Sequence, residues 1–219
     1  MNIVIFGAGG RAGRRAVAEA TRRGHHVTAV VRDPHGHPDL HGHPDLHSHP
    51  DQRQAHLVAG DVTDQASVER AAAGHDAAIS AAVDLAAPAH DFFTTATRAL
   101  TTAAAHTGVR RLVVVGLASI LPGASGAPLM DQPGYPNEYR SFYLGHAAGL
   151  HELRNSDLDW AYVAPTGDFD HHGTPTGHYR ITEHADPAGR ITYADFAIAL
   201  LDEIDTPRCH RAAITVQQP

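Results

Sequence analysis

The stretch Asn2-Ile3-Val4-Ile5-Phe6-Gly7-Ala8-Gly9-Gly10-Arg11-Ala12-Gly13 decides how the rest of the chain is read. Residues 2–6 are a short apolar run, the glycines follow at once, and an alanine-rich segment continues to Arg23 before Gly24 stops it. That order reads as strand, glycine turn and helix. Gly7, Gly10 and Gly13 have the spacing G-x-x-G-x-x-G, with Gly9 added. Glycine permits a tight turn, lets the backbone approach a pyrophosphate and leaves room for close helix packing, while the helix N-terminus offers free N–H groups. The stretch therefore predicts a dinucleotide site on Gly7, Gly9, Gly10, Arg11, Ala12 and Gly13.

Working outward, residues 26–31, 56–59 and 76–80 read as a second, third and fourth strand, with a short helix over 65–73. Residues 88–107 read as a long helix closed by Gly108, and 111–116 is apolar enough for a strand covered on both faces. A helix over 139–155 and a strand over 160–163 follow. The tail is mixed: a strand at 190–193, a helix at 194–204 and a strand at 212–216. Regular alternation of strand and helix predicts an α/β fold, a Rossmann-type doubly wound parallel sheet with a small C-terminal cap. We expect one NAD(P)-binding domain over 1–219, with the cap and substrate side from about 165 onward.

Composition narrows the functional classes. The chain has 219 residues, 42% of them hydrophobic, which is enough to bury a core. It has no apolar run of about 18 residues, and no charged leader precedes residues 3–6; a soluble, cytoplasmic protein without membrane contact is expected. The net charge of −7 gives duplex nucleic acid no general attraction. Cys209, the one cysteine, cannot form an internal disulfide. All 17 basic residues are arginine, so mechanisms built on a lysine base, a Schiff base or a P-loop lysine are ruled out. Small-molecule substrates and a monomer or homodimer are the expected partners and state.

The end of the second strand bears on the cofactor. An acidic side chain there would accept the adenosine ribose hydroxyls, whereas an arginine would pair with a 2′-phosphate. The chain has Val31-Arg32-Asp33-Pro34, which favours NADPH, with NADH as the alternative if Arg32 is only a solvated arginine beside Asp33. Asp61 and Val62 are placed to bracket the adenine, and Ser80, Ala81 and Ala82 are small enough at the end of the fourth strand to let the cofactor pass.

Residues 35–52 break the pattern with three copies of a hexad of the form His-x-His-Pro-Asp-x. Alternate histidines in extended chain point the same way, so adventitious divalent metal binding is expected, with a slippage insert or a pH-sensitive loop as alternatives.

Several segments together resemble the atypical short-chain dehydrogenases of the NmrA-like, NAD(P)H-binding class, especially NADH-flavin reductases and biliverdin-IXβ/flavin reductase. The resemblance rests on 7–13, 31–34, Gly60-Asp61-Val62, Val113-Val114-Val115-Gly116 with Ser119, residues 158–165, and 177–180 through 191–197. It covers nearly the whole chain apart from the histidine hexads. The resemblance implies an NADPH-dependent reductase passing hydride to a small planar acceptor such as a flavin, a quinone or a related carbonyl compound. It also admits a non-catalytic NADP(H)-sensing regulator, or a tailoring enzyme working as ketoreductase, epimerase or redox-neutral cyclase.

Candidate chemistry lies in the second half. Typical short-chain dehydrogenases use Tyr-x-x-x-Lys; here Tyr139 and Tyr143 have that spacing but no lysine exists, which disfavours a standard alcohol dehydrogenase. Ser119, just past the fifth strand, is placed to hydrogen-bond substrate or nicotinamide amide. His151 matches by pattern a histidine of biliverdin-IXβ reductase. Tyr139, Tyr143 and His146 fall at i, i+4 and i+7 on one helical face, so one or two are expected to look into the pocket. Pro165 should lie over the nicotinamide end, and Phe169 and Tyr179 are candidates to stack on a planar acceptor. The run Asp168-Phe169-Asp170-His171-His172 is a weak metal constellation, and no metal is assigned.

Overall fold

Residue alternation organises the first strand of the computed structural model, which describes residues 1–37, 40 and 55–219. In β1 (Asn2–Phe6), Ile3 and Ile5 enter one core layer while Val4 and Phe6 enter the other, as a period of two dictates for a strand covered on both faces. Helix α1 (Arg11–Arg22) buries Gly13, Ala16, Val17 and Ala20, the i, i+3, i+4, i+7 face of an amphipathic helix. β2 (His26–Val31) pairs parallel with β1. β3 (His56–Ala59), α2 (Gln65–Ala72) and β4 (Ala77–Ser80) follow, with Asp64 capping α2 by accepting the Ala66 N–H.

Helix α3 (Ala89–Thr107) ends on Gly108, whose φ of +80° is the left-handed conformation a helix C-terminus favours. β5 (Arg111–Val115), α4 (Arg140–Arg154) and β6 (Asp159–Pro165) continue the alternation. The tail supplies β7 (Asp168–Asp170), β8 (Arg180–Thr182), β9 (Arg190–Thr192), α5 (Tyr193–Asp205) and β10 (Ala212–Gln217). The order of the main sheet is β3-β2-β1-β4-β5-β6-β10-β8. Its first six strands are a doubly wound Rossmann arrangement, with the reversal of strand order between β1 and β4. Helices α1 and α5 pack together over one face, and α2, α3 and α4 over the other.

The tail is built into the sheet more than the sequence foretells. β10 lies parallel to β6, and β8 closes that edge antiparallel. Pairing on both sides extends β6 to seven residues, beyond the expected 160–163. What remains as a cap is the parallel β7–β9 ladder and its loops. Asp195 anchors one of those loops: its carboxylate accepts the backbone N–H groups of Thr176 and Gly177 and the Thr192 hydroxyl.

At the foot of the sheet Arg111 is 5% exposed and its guanidinium donates to the carboxylates of Glu203 and Asp159, each at 2.8 Å, and to the Cys209 carbonyl. The Glu203 carboxylate also accepts the Cys209 backbone N–H, so both buried charges are hydrogen-bonded. Of the histidine hexads only His35, Gly36, His37 and Leu40 fall within the described residues, so the expected metal chelation lies outside them.

Candidate active site

The glycine turn is tightly built. Gly7 has φ +75°, and a Cβ there would stand 2.5 Å from the backbone nitrogen of Ala82 and 2.6 Å from the carbonyl of Ala81. A Cβ on Gly13 would collide with the Gly7 carbonyl, so the third glycine serves the close approach of helix to loop. Gly10 differs: its Cβ would sit 3.4 Å from the Gly7 oxygen at an ordinary φ of −75°, so the fold does not demand glycine there. Gly10 is the N-cap of α1 with no side-chain cap, which leaves the first N–H groups of the helix open to an anion.

A cavity of about 420 Å³ opens on this turn. Gly7, Gly9, Gly10, Arg32, Asp61, Val62, Ala81 and Ala82 line it, so the ends of β1, β2, β3 and β4 meet there as the sequence anticipated. Arg32 is paired with Asp84 at 2.5 Å. Asp61 accepts the Thr63 N–H and hydroxyl, which fixes the carboxylate in its loop. A recessed apolar slot with a few fixed polar groups, ended by a helix N-terminus, fits a dinucleotide.

The structure moves several expected cofactor contacts elsewhere. Arg11 turns out of this cavity, its Nη1 2.8 Å from His171 Nδ1; only its backbone and that of the half-buried Ala12 remain at the helix start. Ser80 is buried in β4 and Pro165 in β6, and neither lines the cavity. His37, unmarked by the sequence reading, does: its ring lies against Gly9, and its Nδ1 is 2.9 Å from the Arg14 guanidinium, which also donates to the Gly9 carbonyl. The hexads read as an insertion, and nothing in their pattern marks His37 as a neighbour of the glycine turn.

Past β5 three hydroxyls gather. Ser119 is 4% exposed on a short 3₁₀ turn and its Oγ lies 2.8 Å from Tyr135 Oη. Tyr143 meets Tyr135 edge-on, with ring centroids 5.8 Å apart, and burial raises its phenol above the usual range. Tyr135 was missed because it sits in the loop Gly134-Tyr135-Pro136, which has no periodicity to mark it. The turn itself hangs on the core, because the Tyr162 hydroxyl accepts the Leu117 N–H at 3.0 Å.

Five other candidates lie apart from the hydroxyl cluster or spend their chemistry elsewhere. His146 is buried between Phe93 and Phe142, with Nδ1 3.0 Å from Tyr162 Oη, and burial pushes its pKa down to about 3. Tyr139 is 60% exposed at the N-cap of α4 and His151 is exposed on the last turn, so neither joins the hydroxyl cluster. Phe169 spends one ring face on Tyr193, stacked at 4.0 Å, with Phe196 at its edge. Tyr179 donates to the Asp202 carboxylate on α5, and burial with that carboxylate pushes its pKa up to about 12. Asp170 is used within its own turn, accepting the N–H groups of His172 and Gly173. Among the described residues no group of three or more His, Cys, Asp or Glu is placed to hold a metal ion, and no helix is long and apolar enough to cross a membrane.

Comparison with known proteins agrees with the glycine turn. Residues 7–207 match the NAD(P)H-binding family. The chain belongs to the NAD(P)H-binding family. YwnB of Bacillus subtilis strain 168, an uncharacterised protein, is 32% identical over 99% of this chain and 98% of its own. A structure described as a candidate exported protein from Burkholderia pseudomallei superposes with a TM-score of 0.80 at 33% identity, covering 99% of each chain. SP1627 of Streptococcus pneumoniae TIGR4, described as a candidate NADH-flavin reductase, gives a TM-score of 0.81 at 28% identity over 100% of both chains. Membership in the NAD(P)H-binding family makes a nicotinamide dinucleotide the cofactor class, and the cavity on the glycine turn is the place these residues offer it.

Proposed function

We propose that the protein is an NADPH-dependent reductase that delivers hydride to a small planar acceptor, a flavin, a quinone or a related carbonyl compound. One arrangement carries the reading: a dinucleotide cavity with Arg32 in its lining, and a hydroxyl cluster past the neighbouring strand β5, with no lysine in the chain. Bound nicotinamide would supply the hydride. The glycine turn and the start of α1 hold the pyrophosphate, Asp61 and Val62 bracket the adenine, and Arg32 exchanges Asp84 for the 2′-phosphate. Ser119 and Tyr135 orient the acceptor by hydrogen bonds, Tyr143 shields them, and the proton comes from this pair or from solvent.

The testing experiment is calorimetric titration of NADPH and NADH into the protein and into Arg32→Ala, followed by NADPH oxidation with flavins and quinones. Tight NADPH binding that weakens in Arg32→Ala, with turnover, supports the reading. Binding without turnover of any acceptor favours the NADP(H)-sensing regulator, a reading consistent with the missing lysine.

A further inference from the structure

The first histidine hexad reaches into the cavity on the glycine turn. His37 lines that cavity together with Gly7, Gly9, Gly10 and Arg32. A Cβ added to Gly9 would meet the His37 ring before anything else, with Nε2, Cε1 and Cδ2 all within 3.0 Å. Gly7 and Gly13 are held to glycine by neighbouring backbone, whereas at Gly9 an imidazole fills the place a side chain would take.

The backbone around His37 fixes the ring at this spot. β2 ends at Val31, and Asp33 caps the 3₁₀ turn Pro34–Gly36 by accepting the His35 N–H. The His37 N–H donates to the Pro34 carbonyl, and the Leu40 N–H donates to the His37 carbonyl. Leu40 is buried in the core layer that holds Val31 and the α1 residues Ala16 and Val17. His37 is thus pinned between a capped turn and a core side chain.

The polar edge of the ring is defined as well. Arg14 Nε donates to the Gly9 carbonyl at 2.8 Å, and Arg14 Nη2 lies 2.9 Å from His37 Nδ1. A guanidinium carries donors alone, so Nδ1 accepts and the ring hydrogen sits on Nε2. Nε2 is also the ring atom nearest the Cβ position of Gly9. An N–H donor therefore stands over the turn that opens α1, the end of the slot where the helix start favours an anion.

We propose that His37 Nε2 donates a hydrogen bond to a phosphate group of the bound nicotinamide dinucleotide. This contact rests on the dinucleotide reading of the cavity and is independent of hydride transfer. The phosphate is either the pyrophosphate, bound over the glycine turn, or the 2′-phosphate expected at Arg32 in the same lining. On either account the first hexad belongs to the cofactor site, and Gly9 is small so that the imidazole can reach it.

The test is calorimetric titration of NADPH and NADH into the full chain, into His37→Phe, which keeps a flat ring without the donor, and into His37→Gln, which returns an N–H at the same reach. His37→Phe should weaken binding about tenfold, the loss of one hydrogen bond to a charged group, and His37→Gln should recover part of it. Urea unfolding of the three nucleotide-free proteins should share one midpoint. Weakening with both nucleotides assigns the contact to the pyrophosphate, and weakening with NADPH alone assigns it to the 2′-phosphate. Unchanged affinity for both nucleotides in His37→Phe overturns the proposal and leaves the cavity reading standing. Affinity that falls only in step with the unfolding midpoint in both variants gives the ring a packing role and overturns it too. Failure of the wild type to bind either nucleotide sinks the cavity reading and the contact with it. A cycle of Gly9→Ala and His37→Ala adds a second arm. The methyl displaces the ring, so the double variant should lose little beyond the worse single one, and strictly additive losses also overturn the proposal.

Discussion

Arg32 Nη1 lies 2.5 Å from Asp84 Oδ2 in the lining of the cavity on the glycine turn, so the residue expected to read the cofactor's phosphate is paired with a carboxylate. Asp84 also accepts the Ala86 N–H at 2.9 Å, and that hydrogen bond, with Arg32 beside it, holds its carboxyl below the usual range. The arginine side chain is 66% exposed, and an ion pair in such a setting contributes little. A phosphate dianion therefore displaces Asp84 at small cost. Asp84→Asn should tighten NADPH a few-fold and leave NADH unchanged. Arg32→Ala should weaken NADPH by about tenfold or more. Calorimetry with both nucleotides checks this; equal losses for NADPH and NADH in Arg32→Ala would show that Arg32 does not read the 2′-phosphate.

The glycines of the turn should separate in their tolerance. Gly13→Ala drives a methyl into the Gly7 carbonyl and should cost about 1–3 kcal/mol along with nucleotide binding. Gly10→Ala has 3.4 Å to the same oxygen and should change stability by no more than about 0.5 kcal/mol. Thermal unfolding with and without NADPH distinguishes them.

If the hydroxyl cluster orients and protonates the acceptor, Ser119→Ala and Tyr135→Phe should each lower kcat/KM about tenfold to a hundredfold without altering NADPH affinity. The double variant should lose little beyond the worse single change, since the two hydroxyls share one hydrogen bond. Steady-state kinetics with a fixed acceptor measures both effects.

His146 sets a pH dependence of stability. Its pKa falls from an ordinary value of 6.5 to about 3 on burial, so below pH 6.5 the unfolded chain takes up a proton that the native chain refuses. Its neutral form is fully compatible with the fold above pH 6.5, and stability is lost as pH falls from there toward 3. The limiting slope is about 1.4 kcal/mol per pH unit from this residue alone. Urea unfolding across that window should show a shallower dependence for His146→Phe than for the wild type; parallel curves would refute the assignment.

At the foot of the sheet, Arg111→Leu strands the Glu203 carboxylate among buried neighbours and should destabilise by about 3–5 kcal/mol. Replacing both partners with apolar residues should recover part of that loss, as a chemical denaturation cycle would show.

The sheet is legible because its strands carry apolar runs such as residues 3–6 and 112–115, and because each crossover must hold a helix. The dinucleotide end was legible for a related reason: Gly7 and Gly13 are required by backbone contacts that a sequence pattern records. The acceptor end was not. Tyr135 comes from an aperiodic loop, while Phe169 and Tyr179 have the right chemistry for stacking but spend it on Tyr193 and Asp202. Three-residue strands such as β7 and β8 are too short to show alternation. Of Tyr139, Tyr143 and His146, expected on one helical face, Tyr143 and His146 turn inward while Tyr139 is exposed, and an inward face distinguishes core from pocket only through its neighbours.

Tyr162 ties the turn before Ser119 to the sheet: it sits on β6, paired on both sides, its ring fills the space beside Gly116 and its hydroxyl holds the Leu117 N–H. For anyone redesigning the acceptor range, this divides the molecule into chassis and interchangeable parts. The exposed positions between 124 and 136 can be diversified around Tyr135 while the buried Leu129 and position 162 are left untouched, because a library that loosens those anchors would sample blurred geometries instead of new specificities.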